Sequence, residues 1–351
     1  MKTAFIIDGG LGRCLCSLPA LIKYGKLNPD QEWYVVMSGW SYITHGIREL
    51  QNRTFELESK GIFDNVFLKV DRVISPEPYR VPRYYKQELS LIEAFDFEIN
   101  GTDDHSDLIK PPIVFSEYEQ IKGKEIINHA KSTHGKEKTI VIQPYGSSAQ
   151  RICNGVFDDS LRSIQEKTFL KLSKMLSEKY NVIYFGDYKF YTEEYMHCLG
   201  PSPDPELREW FSIIKESDYF IGCDSCGQHA AYSVGTPGTI ILGGTHAVNI
   251  SYPKYFNIIE KQQEKKYIPM RISNTECDLS QRFNHDILNY DEKEIQKIFD
   301  IIVFNIEQMS SPKVNIQEII SVPISDNNIQ PIEKKSFPRK EKSLSSDFSY
   351  S

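Results

Sequence analysis

The stretch at residues 213–246 reads IIKESDYFIGCDSCGQHAAYSVGTPGTIILGGTH. It contains two short apolar runs, 218–222 and 239–242, which are rich in β-branched and aromatic residues and bounded by Gly and Pro, as buried parallel strands are. Between them there is room for one short helix, with an Asp-Ser pair able to cap its start and a Gly-Thr-Pro-Gly run that stops it. The stretch therefore predicts a βαβ unit of an α/β fold.

Polar side chains follow each of the two predicted strands. Ligands of open α/β sheets bind beyond the carboxyl ends of the strands, where the N–H groups of a helix N-terminus favour an anion such as a diphosphate. The candidate binding residues at these ends are Asp224, Ser225, Cys226, Gly227, Gln228, His229, Thr245 and His246.

The order of residues in this segment resembles the family 9 (heptosyltransferase-like) glycosyltransferases, in which the segment usually reads D-[ST]-G-x-x-H-x-A-A and holds the nucleotide-sugar donor. This chain has Cys226 where the family prefers Gly. The resemblance implies a GT-B architecture, in which two Rossmann-like doubly wound domains face a central cleft, the first holding the acceptor and the second the donor. The alternative is a plain Rossmann-like crossover whose Asp caps a helix and whose His is satisfied in the core.

The start of the chain carries a second motif. Residues 12–21, GRCLCSLPAL, follow a predicted strand at 3–7 and resemble the family's opening G-D-x-[LV]-x-[TS]-x-P-A-L. Arg13 stands where most members have an Asp that is thought to be the general base, and a guanidinium cannot take up a proton at neutral pH. The candidate bases are therefore Asp8 and Asp224, unless the reaction needs little base assistance or catalysis is lost.

Arg13 itself has two interpretations. As a functional residue it would contact the donor phosphates or an acidic acceptor, because Arg often serves phosphate recognition. Otherwise it is a surface Arg near the start of a helix. The neighbouring glycines do not complete a G-x-G-x-x-G fingerprint, which disfavours a dehydrogenase.

The rest of the first half is expected to hold a strand at 63–70 and then a segment dense in aromatics and arginines. Aromatic faces suit sugar rings, and Arg suits phosphate or carboxylate. The resulting candidate acceptor contacts are Gly10, Gly12, Arg80, Arg83 and Tyr84.

A second α/β domain is predicted to start with a strand at 139–143. The small residues and hydroxyls that follow it, Gly146, Ser147 and Ser148, suit a phosphate-cradling loop, and the segment resembles the family's H-P-G-[AS]-[SG]. Arg162 stands near the place where the family commonly has a Lys on the diphosphate. Asp187, after a predicted strand at 182–185, is a candidate for the donor ribose.

The charged segment at 122–138 is interpreted as the linker between the domains. The predicted boundaries are an acceptor-binding domain at 1–130, a nucleotide-sugar-binding domain at 137–290, a helix at 291–309 that crosses back onto the first domain, and a disordered tail at 310–351.

Composition excludes several classes. No apolar run approaches the ~18 residues of a membrane span and no signal peptide is evident, so a cytoplasmic location is expected. The net charge of -7 argues against broad electrostatic binding to nucleic acid, so that such binding would need a local basic face. The 7 scattered cysteines imply no disulfide framework, and no metal-spaced cluster accompanies the Cys223–Cys226 pair.

These observations predict a metal-independent glycosyltransferase with no cofactor, which uses a nucleotide-diphosphate sugar as co-substrate and a hydroxyl of a saccharide or glycolipid as acceptor. The residues that would carry catalysis are Asp8, Arg13 and Asp224. Three alternatives stay open: a non-catalytic nucleotide-sugar-binding protein, a glycosyltransferase that acts on modified nucleic acid bases, and a nucleotide-sugar epimerase.

Overall fold

A computed structural model of the chain contains two parallel β-sheets, one in each half. The structure describes residues 1–152, 155–158, 160–186, 196–199, 207–261, 271–272, 275–276 and 285–308. All of them lie within one compact unit, Met1–Ile316. The predicted tail at 310–351 lies outside the described residues.

The first sheet has four parallel strands in the order β3-β2-β1-β4. Its strands are β1 Thr3–Ile7, β2 Trp33–Met37, β3 Thr54–Glu56 and β4 Arg72–Ile74, and the helices of this half are α1 Leu11–Leu27, α2 Ile62–Asn65, α3 Pro82–Tyr85, α4 Leu91–Asn100 and α5 Glu117–His134. Strand β1 pairs on both sides, and its apolar side chains are buried against α1.

The strand predicted at 63–70 is wrong. Gly61 takes a left-handed conformation (φ 80°) and starts the short helix α2, which a 3₁₀ turn at Phe67–Lys69 follows. Strand β4 occupies the place beside β1 that such a strand would need. Phe63 and Leu68 are consequently left 62% and 66% exposed.

The second sheet has six parallel strands in the order β12-β11-β10-β5-β8-β9. The strands of this half are β5 Thr139–Gln143, β6 Gln150–Ile152, β7 Gly155–Phe157, β8 Asn181–Phe185, β9 Met196–Leu199, β10 Tyr219–Gly222, β11 Gly238–Leu242, β12 Asn257–Glu260, β13 Arg271–Ile272 and β14 Thr275–Glu276. Its helices are α6 Glu166–Ser177, α7 Leu207–Glu216, α8 Cys226–Val234, α9 Ala247–Ile250 and α10 Glu292–Gln308. Short antiparallel pairs, β6 with β7 and β13 with β14, stand apart from it.

The βαβ unit predicted from 213–246 is confirmed as β10, α8 and β11. Helix α8 ends at Gly235, whose left-handed conformation (φ 85°) is the usual helix stop. In the sheet, Gly222 at the end of β10 pairs with Gln143 at the end of β5. The loops that follow these two strands therefore emerge side by side.

The two halves are joined by packing as well as by the chain. Helix α5, which covers most of the predicted linker, lies against α7 so closely that a Cβ at Gly123 would stand 2.4 Å from Ser212 Oγ. Arg208 of α7 is buried, forms an ion pair with Glu119 and donates to backbone carbonyls of the first half. One apolar core cluster contains residues from both sheets.

Helix α10 packs on the second half. The expectation from the sequence, that this helix crosses back onto the first half, is wrong. Its buried face, which includes Ile295, Ile298 and Ile302, joins the cluster that α6 and the second sheet form. Lys138 donates to the carbonyl of Ile306 over 3.0 Å. The amphipathic pattern predicted the helix correctly but could not tell which sheet its apolar face would cover. None of the helices described is long and apolar enough to cross a membrane.

Candidate functional site

The N-terminal ends of α1 and α8 meet at the junction of the two halves. A Cβ at Gly12 would lie 2.6 Å from His229 Cδ2 and 3.7 Å from the Cα of Cys226. Gly12 was expected to let an acceptor approach the backbone, and the structure corrects this: the group that approaches it is the His229 ring. This contact brings the first motif against the second.

His229 is buried, and its ring is engaged on the inner side of this junction. Its Nδ1 lies 2.6 Å from Tyr252 Oη and 3.4 Å from Cys16 Sγ. Burial lowers the pKa of His229 to about 3, so the imidazole is neutral at physiological pH. The contact of His229 with donor hydroxyls stays a prediction. The contacts with Tyr252 and Cys16 both use Nδ1, so Nε2 is the ring nitrogen that they do not use.

Arg13 is buried, which rules out the interpretation as a surface residue. Its Nη1 donates to Glu77 Oε1 over 2.8 Å, and its Nη2 donates to the Pro76 carbonyl over 2.9 Å. The guanidinium also lies 5.2 Å from the centroid of the Tyr79 ring and 5.5 Å from that of Phe95. Two aromatic faces and an ion pair thus hold its charge in one place.

Asp8 follows β1 and is the second carboxylate beside Arg13. Its Oδ1 lies 3.1 Å from Arg13 Nη2, as an ion pair without the angle of a hydrogen bond. The side chain as a whole is 37% exposed, whereas the Oδ1 atom is buried. Asp8 is therefore both held by charge and open to solvent.

The loop after β5 and the segment at 158–164 come together in the second half. The carboxylate of Asp158 accepts hydrogen bonds from the backbone N–H groups and the hydroxyls of Ser160 and Ser163. In turn, Ser163 Oγ accepts from the N–H of Gly146 over 2.9 Å. The segment is thereby folded into a tight turn against the loop predicted to cradle phosphate.

Arg162 lies at the centre of this arrangement. It donates from Nη2 to Ser148 Oγ over 2.7 Å and from Nε to Ser160 Oγ over 3.1 Å. The preceding residue, Leu161, takes a left-handed conformation (φ 54°), and its carbonyl accepts from Gly244 over 2.8 Å. The predicted donor residues Ser148 and Arg162 are thus in direct contact, while Ser147 beside them is exposed.

Asp224 closes the other side of the same loops. A Cβ at Gly146 would lie 3.7 Å from the Asp224 carbonyl and 3.9 Å from Ser225 Oγ. Asp224 is 7% exposed, and its Oδ1 accepts from Gln228 Nε2 over 3.1 Å. Burial raises the pKa of Asp224 above its usual value, and the positive charge of Arg162 opposes this shift. Thr245 and His246, after β11, are also buried.

The N-terminus of α8 is not open in the way the sequence suggested. The side chain of Gln143 accepts from the Gly227 N–H over 2.9 Å and donates to Ser225 Oγ over 3.2 Å. The Gln228 N–H bonds the Ser225 carbonyl over 3.3 Å. Because Gln143 caps the helix, the Gly227 N–H is already satisfied and is not available to a diphosphate, whereas the Arg162 guanidinium offers a positive charge.

The predicted acceptor contacts differ in their surroundings. Tyr84 is 1% exposed, packs edge-on against Tyr79 and Tyr85, and is therefore not accessible as an acceptor contact, contrary to expectation. Arg83 is at the surface in ion pairs with Glu88 and Asp103, at 3.2 and 2.5 Å. Arg80 and Gly10 are exposed.

Two further predictions from the sequence concern Asp187 and the cysteines. Asp187 lies outside the described residues. Cys223 is fully buried, and burial raises the pKa of the Cys223 and Cys226 thiols, which leaves both protonated. Within the described ranges, no group of three or more His, Cys, Asp or Glu side chains is arranged to hold a metal ion.

Sequence reasoning missed four residues that shape this site: Glu77, Asp158, Tyr252 and Gln143 as a helix cap. Glu77 is 64 positions from Arg13, and no local pattern marks that pairing. A signal did exist for Asp158, because an Asp followed by Ser at the second and fifth positions is typical of a side chain that bonds its own loop.

Comparison with known proteins identifies the fold. The sequence matches no protein-family model and no curated protein. The structure is similar to ADP-heptose lipopolysaccharide heptosyltransferase II of E. coli, with 14% identity and a TM-score of 0.60 over 89% of this chain and 100% of that one. It is also similar to a family 9 glycosyltransferase of Veillonella parvula, with 12% identity and a TM-score of 0.59 over 87% and 97%.

A third similar structure is the dodecameric iron-containing heptosyltransferase TibC in complex with ADP-D-β-D-heptose, with 11% identity and a TM-score of 0.54 over 88% of this chain and 76% of that one. Such identities establish the fold alone. The chain has the GT-B architecture, with two Rossmann-like domains facing a cleft, and the resemblance drawn from the two motifs is confirmed at the level of the fold.

Proposed function

We propose that this chain is a glycosyltransferase that moves a sugar from a nucleotide-diphosphate donor to a hydroxyl of a saccharide or glycolipid. The observation that carries the proposal is the contact of Arg162 with Ser148 over 2.7 Å, at the end of the second sheet where β5 and β10 finish side by side. This end of a parallel sheet is where α/β proteins bind nucleotides. The GT-B fold supports the same assignment.

The chemistry asked of these residues is stabilisation of the leaving diphosphate. As the bond between the sugar and the diphosphate breaks, negative charge grows on the phosphate oxygens. Arg162 can bind them through two N–H groups, and Ser147 and Ser148 can donate hydroxyl hydrogen bonds. Reaction without a metal or cofactor is part of this proposal, with the guanidinium supplying the positive charge.

The acceptor would bind on the first half, beside Asp8 and the exposed Arg80. Glycolipid headgroups and saccharides that carry phosphate or carboxylate suit the guanidinium of Arg80. Asp8 and Asp224 stay the candidates for the base that takes the acceptor proton.

Binding of nucleoside diphosphates tests the donor assignment. We expect one of ADP, UDP, GDP and CDP to raise the melting temperature, because a ligand at 100 times its Kd adds about 2.7 kcal/mol to stability. Arg162→Ala should weaken that binding at least about tenfold, Arg162→Lys should weaken it less, and the exposed Arg48→Ala should leave it unchanged. Equal affinity in all four proteins would contradict the assignment.

A non-catalytic nucleotide-sugar-binding protein is the second candidate, and the buried Arg13 in place of the family's Asp favours it. The two functions differ in turnover. A transferase releases nucleoside diphosphate from ADP-D-β-D-heptose, UDP-glucose or GDP-mannose, whereas a binding protein holds the same compound intact. An assay that detects the released nucleoside diphosphate separates the two functions.

A further inference from the structure

We propose that Asp8 is the general base of the transfer and that Arg13, anchored by Glu77, is the residue that positions it. The proposal rests on the transferase function above and deepens it by assigning the role that the family gives to the residue at position 13. It depends on four features of the described residues: the anchoring of Arg13, the orientation of Asp8, the place of both beside α8, and the local sum of charges.

Arg13 is anchored more firmly than a structural ion pair at the surface would be. Two of its N–H groups are used by Glu77 Oε1 and the Pro76 carbonyl, at 2.8 and 2.9 Å, and the rings of Tyr79 and Phe95 lie within 5.5 Å of its guanidinium carbon. A buried charge needs such partners to offset its desolvation. The guanidinium is therefore a fixed point.

Asp8 meets that fixed point with one oxygen. The Oδ1 atom of Asp8 is buried and lies 3.1 Å from Arg13 Nη2. Because the Asp8 side chain as a whole is 37% exposed, Oδ2 is the oxygen open to solvent. The outward-facing oxygen is the one that a bound hydroxyl could reach, as a general base must be within hydrogen-bond distance of the proton it accepts. Asp224, the rival base, is 7% exposed and already bonded to Gln228.

The position of this pair is also suitable. Gly12, next to Arg13, touches Cys226 and His229 of α8, so the start of α1 meets the start of the helix that follows Asp224 and Ser225. Asp8 thus lies at the junction between the two halves.

The local charge explains how an Arg can replace an Asp. Asp8 and Glu77 together carry two negative charges, and Arg13 carries one positive charge, so the trio has a net charge of about -1. The sign of this charge is that of the single carboxylate that the resemblance would place at position 13.

In the proposed step, the acceptor oxygen forms a bond to the anomeric carbon while the bond from that carbon to the diphosphate oxygen breaks. The bonding pair leaves with the nucleoside diphosphate. The proton of the acceptor hydroxyl passes to Asp8 Oδ2, from which water removes it after product release.

The test measures release of nucleoside diphosphate from ADP-D-β-D-heptose, UDP-glucose and GDP-mannose, with water as acceptor, together with the Kd of each compound by calorimetry. We expect Asp8→Asn to lower kcat by about 100-fold or more, the usual contribution of a general base, and to change the Kd less than twofold. Asp64→Asn, which changes an exposed carboxylate on α2, is the control.

Arg13 is tested by the same assay. Arg13→Gln should lower kcat with little change in Kd, and Arg13→Lys, which keeps the charge, should restore part of kcat. A purely structural role would change the melting temperature without separating the effect on kcat from the effect on Kd. Asp8→Asn that turns over at the wild-type rate would overturn the proposal, as would a wild-type protein that binds a donor and releases nothing. Failure of the wild-type protein to bind any of the compounds would instead overturn the donor site itself.

Discussion

Gly12 and His229 touch across the junction of the two halves, with a distance of 2.6 Å from an added Gly12 Cβ to His229 Cδ2. No side chain larger than hydrogen fits at position 12 unless the His229 ring or one of the two helices moves. The glycine in the opening motif is thus required by packing between helices.

Gly12→Ala should destabilise the protein by about 1–3 kcal/mol, the usual cost of inserting a methyl group into a packed contact. Urea unfolding measures it. Gly10→Ala is the matched control, because nothing lies within 4 Å of a Cβ at Gly10 and its φ of -75° suits any residue. Equal stability of the two variants would show that the helices adjust freely.

His229 should make stability depend on pH. Its pKa is about 3 in the folded protein and near its ordinary 6.5 in the unfolded chain, so the unfolded chain binds the extra proton between these values. Stability is full above pH 6.5 and falls as the pH drops, with a slope approaching about 1.4 kcal/mol per pH unit from this residue.

The corresponding variant is His229→Gln, which can accept a hydrogen bond from Tyr252 but cannot take a proton. Its urea midpoint should fall less steeply than that of the wild type between pH 7.5 and pH 5. His45→Gln, at an exposed position, should keep the wild-type slope. An unchanged slope in His229→Gln would mean that the ring is protonated in the folded protein.

The pH dependence of stability that Asp224 contributes has the opposite sign to that of His229. Burial raises the pKa of Asp224 in the folded protein, so the contribution of this residue to stability is greatest at low pH and is lost as the pH rises through the folded pKa. Asp224→Asn, which can still accept from Gln228, should therefore be more stable than the wild type at pH 7, by about 1.4 kcal/mol for each unit of the shift. The difference should vanish below pH 4 in thermal melts, and a less stable variant at pH 7 would refute this.

Gln143 should matter for the stability of α8. Gln143→Ala removes the partner of the Gly227 N–H and of Ser225 Oγ, and the loss of a helix cap costs about 0.5–2 kcal/mol. Gln51→Ala, at an exposed position in the first half, is the comparison. Chemical denaturation of the two variants measures the difference, and equal midpoints would mean that water replaces the cap.

The elements predicted best from the sequence are those whose residues are all buried to a similar degree. Strands β10 and β11 are buried on both faces, so most of their residues are apolar, and Gly235 marks the helix end between them. The run at 63–70 also contains aromatic and β-branched residues, but Val66 alone is fully buried in it while Phe63 is exposed. Composition does not reveal whether a partner strand is available.

The candidate site was predicted in parts. Ser148 and Arg162 were chosen because small residues and a cation after parallel strands suit phosphate, and the structure brings them together. Tyr84 was chosen from an aromatic-rich segment in which Tyr84 is buried whereas Tyr85 is partly buried and Arg80 is exposed, and composition does not reveal which of these residues is buried. The pairing of Arg13 with Glu77 is set by tertiary packing, on which local sequence carries no information.

The apolar cluster shared by both sheets has a consequence for how the protein unfolds. Because Phe5 of β1 and Phe220 of β10 belong to one cluster, separating the halves would expose apolar surface in both at once. We expect the slowest-exchanging amides of the two strands to share a single opening free energy in native-state hydrogen exchange. A chain with the architecture of two domains would then behave as one cooperative folding unit.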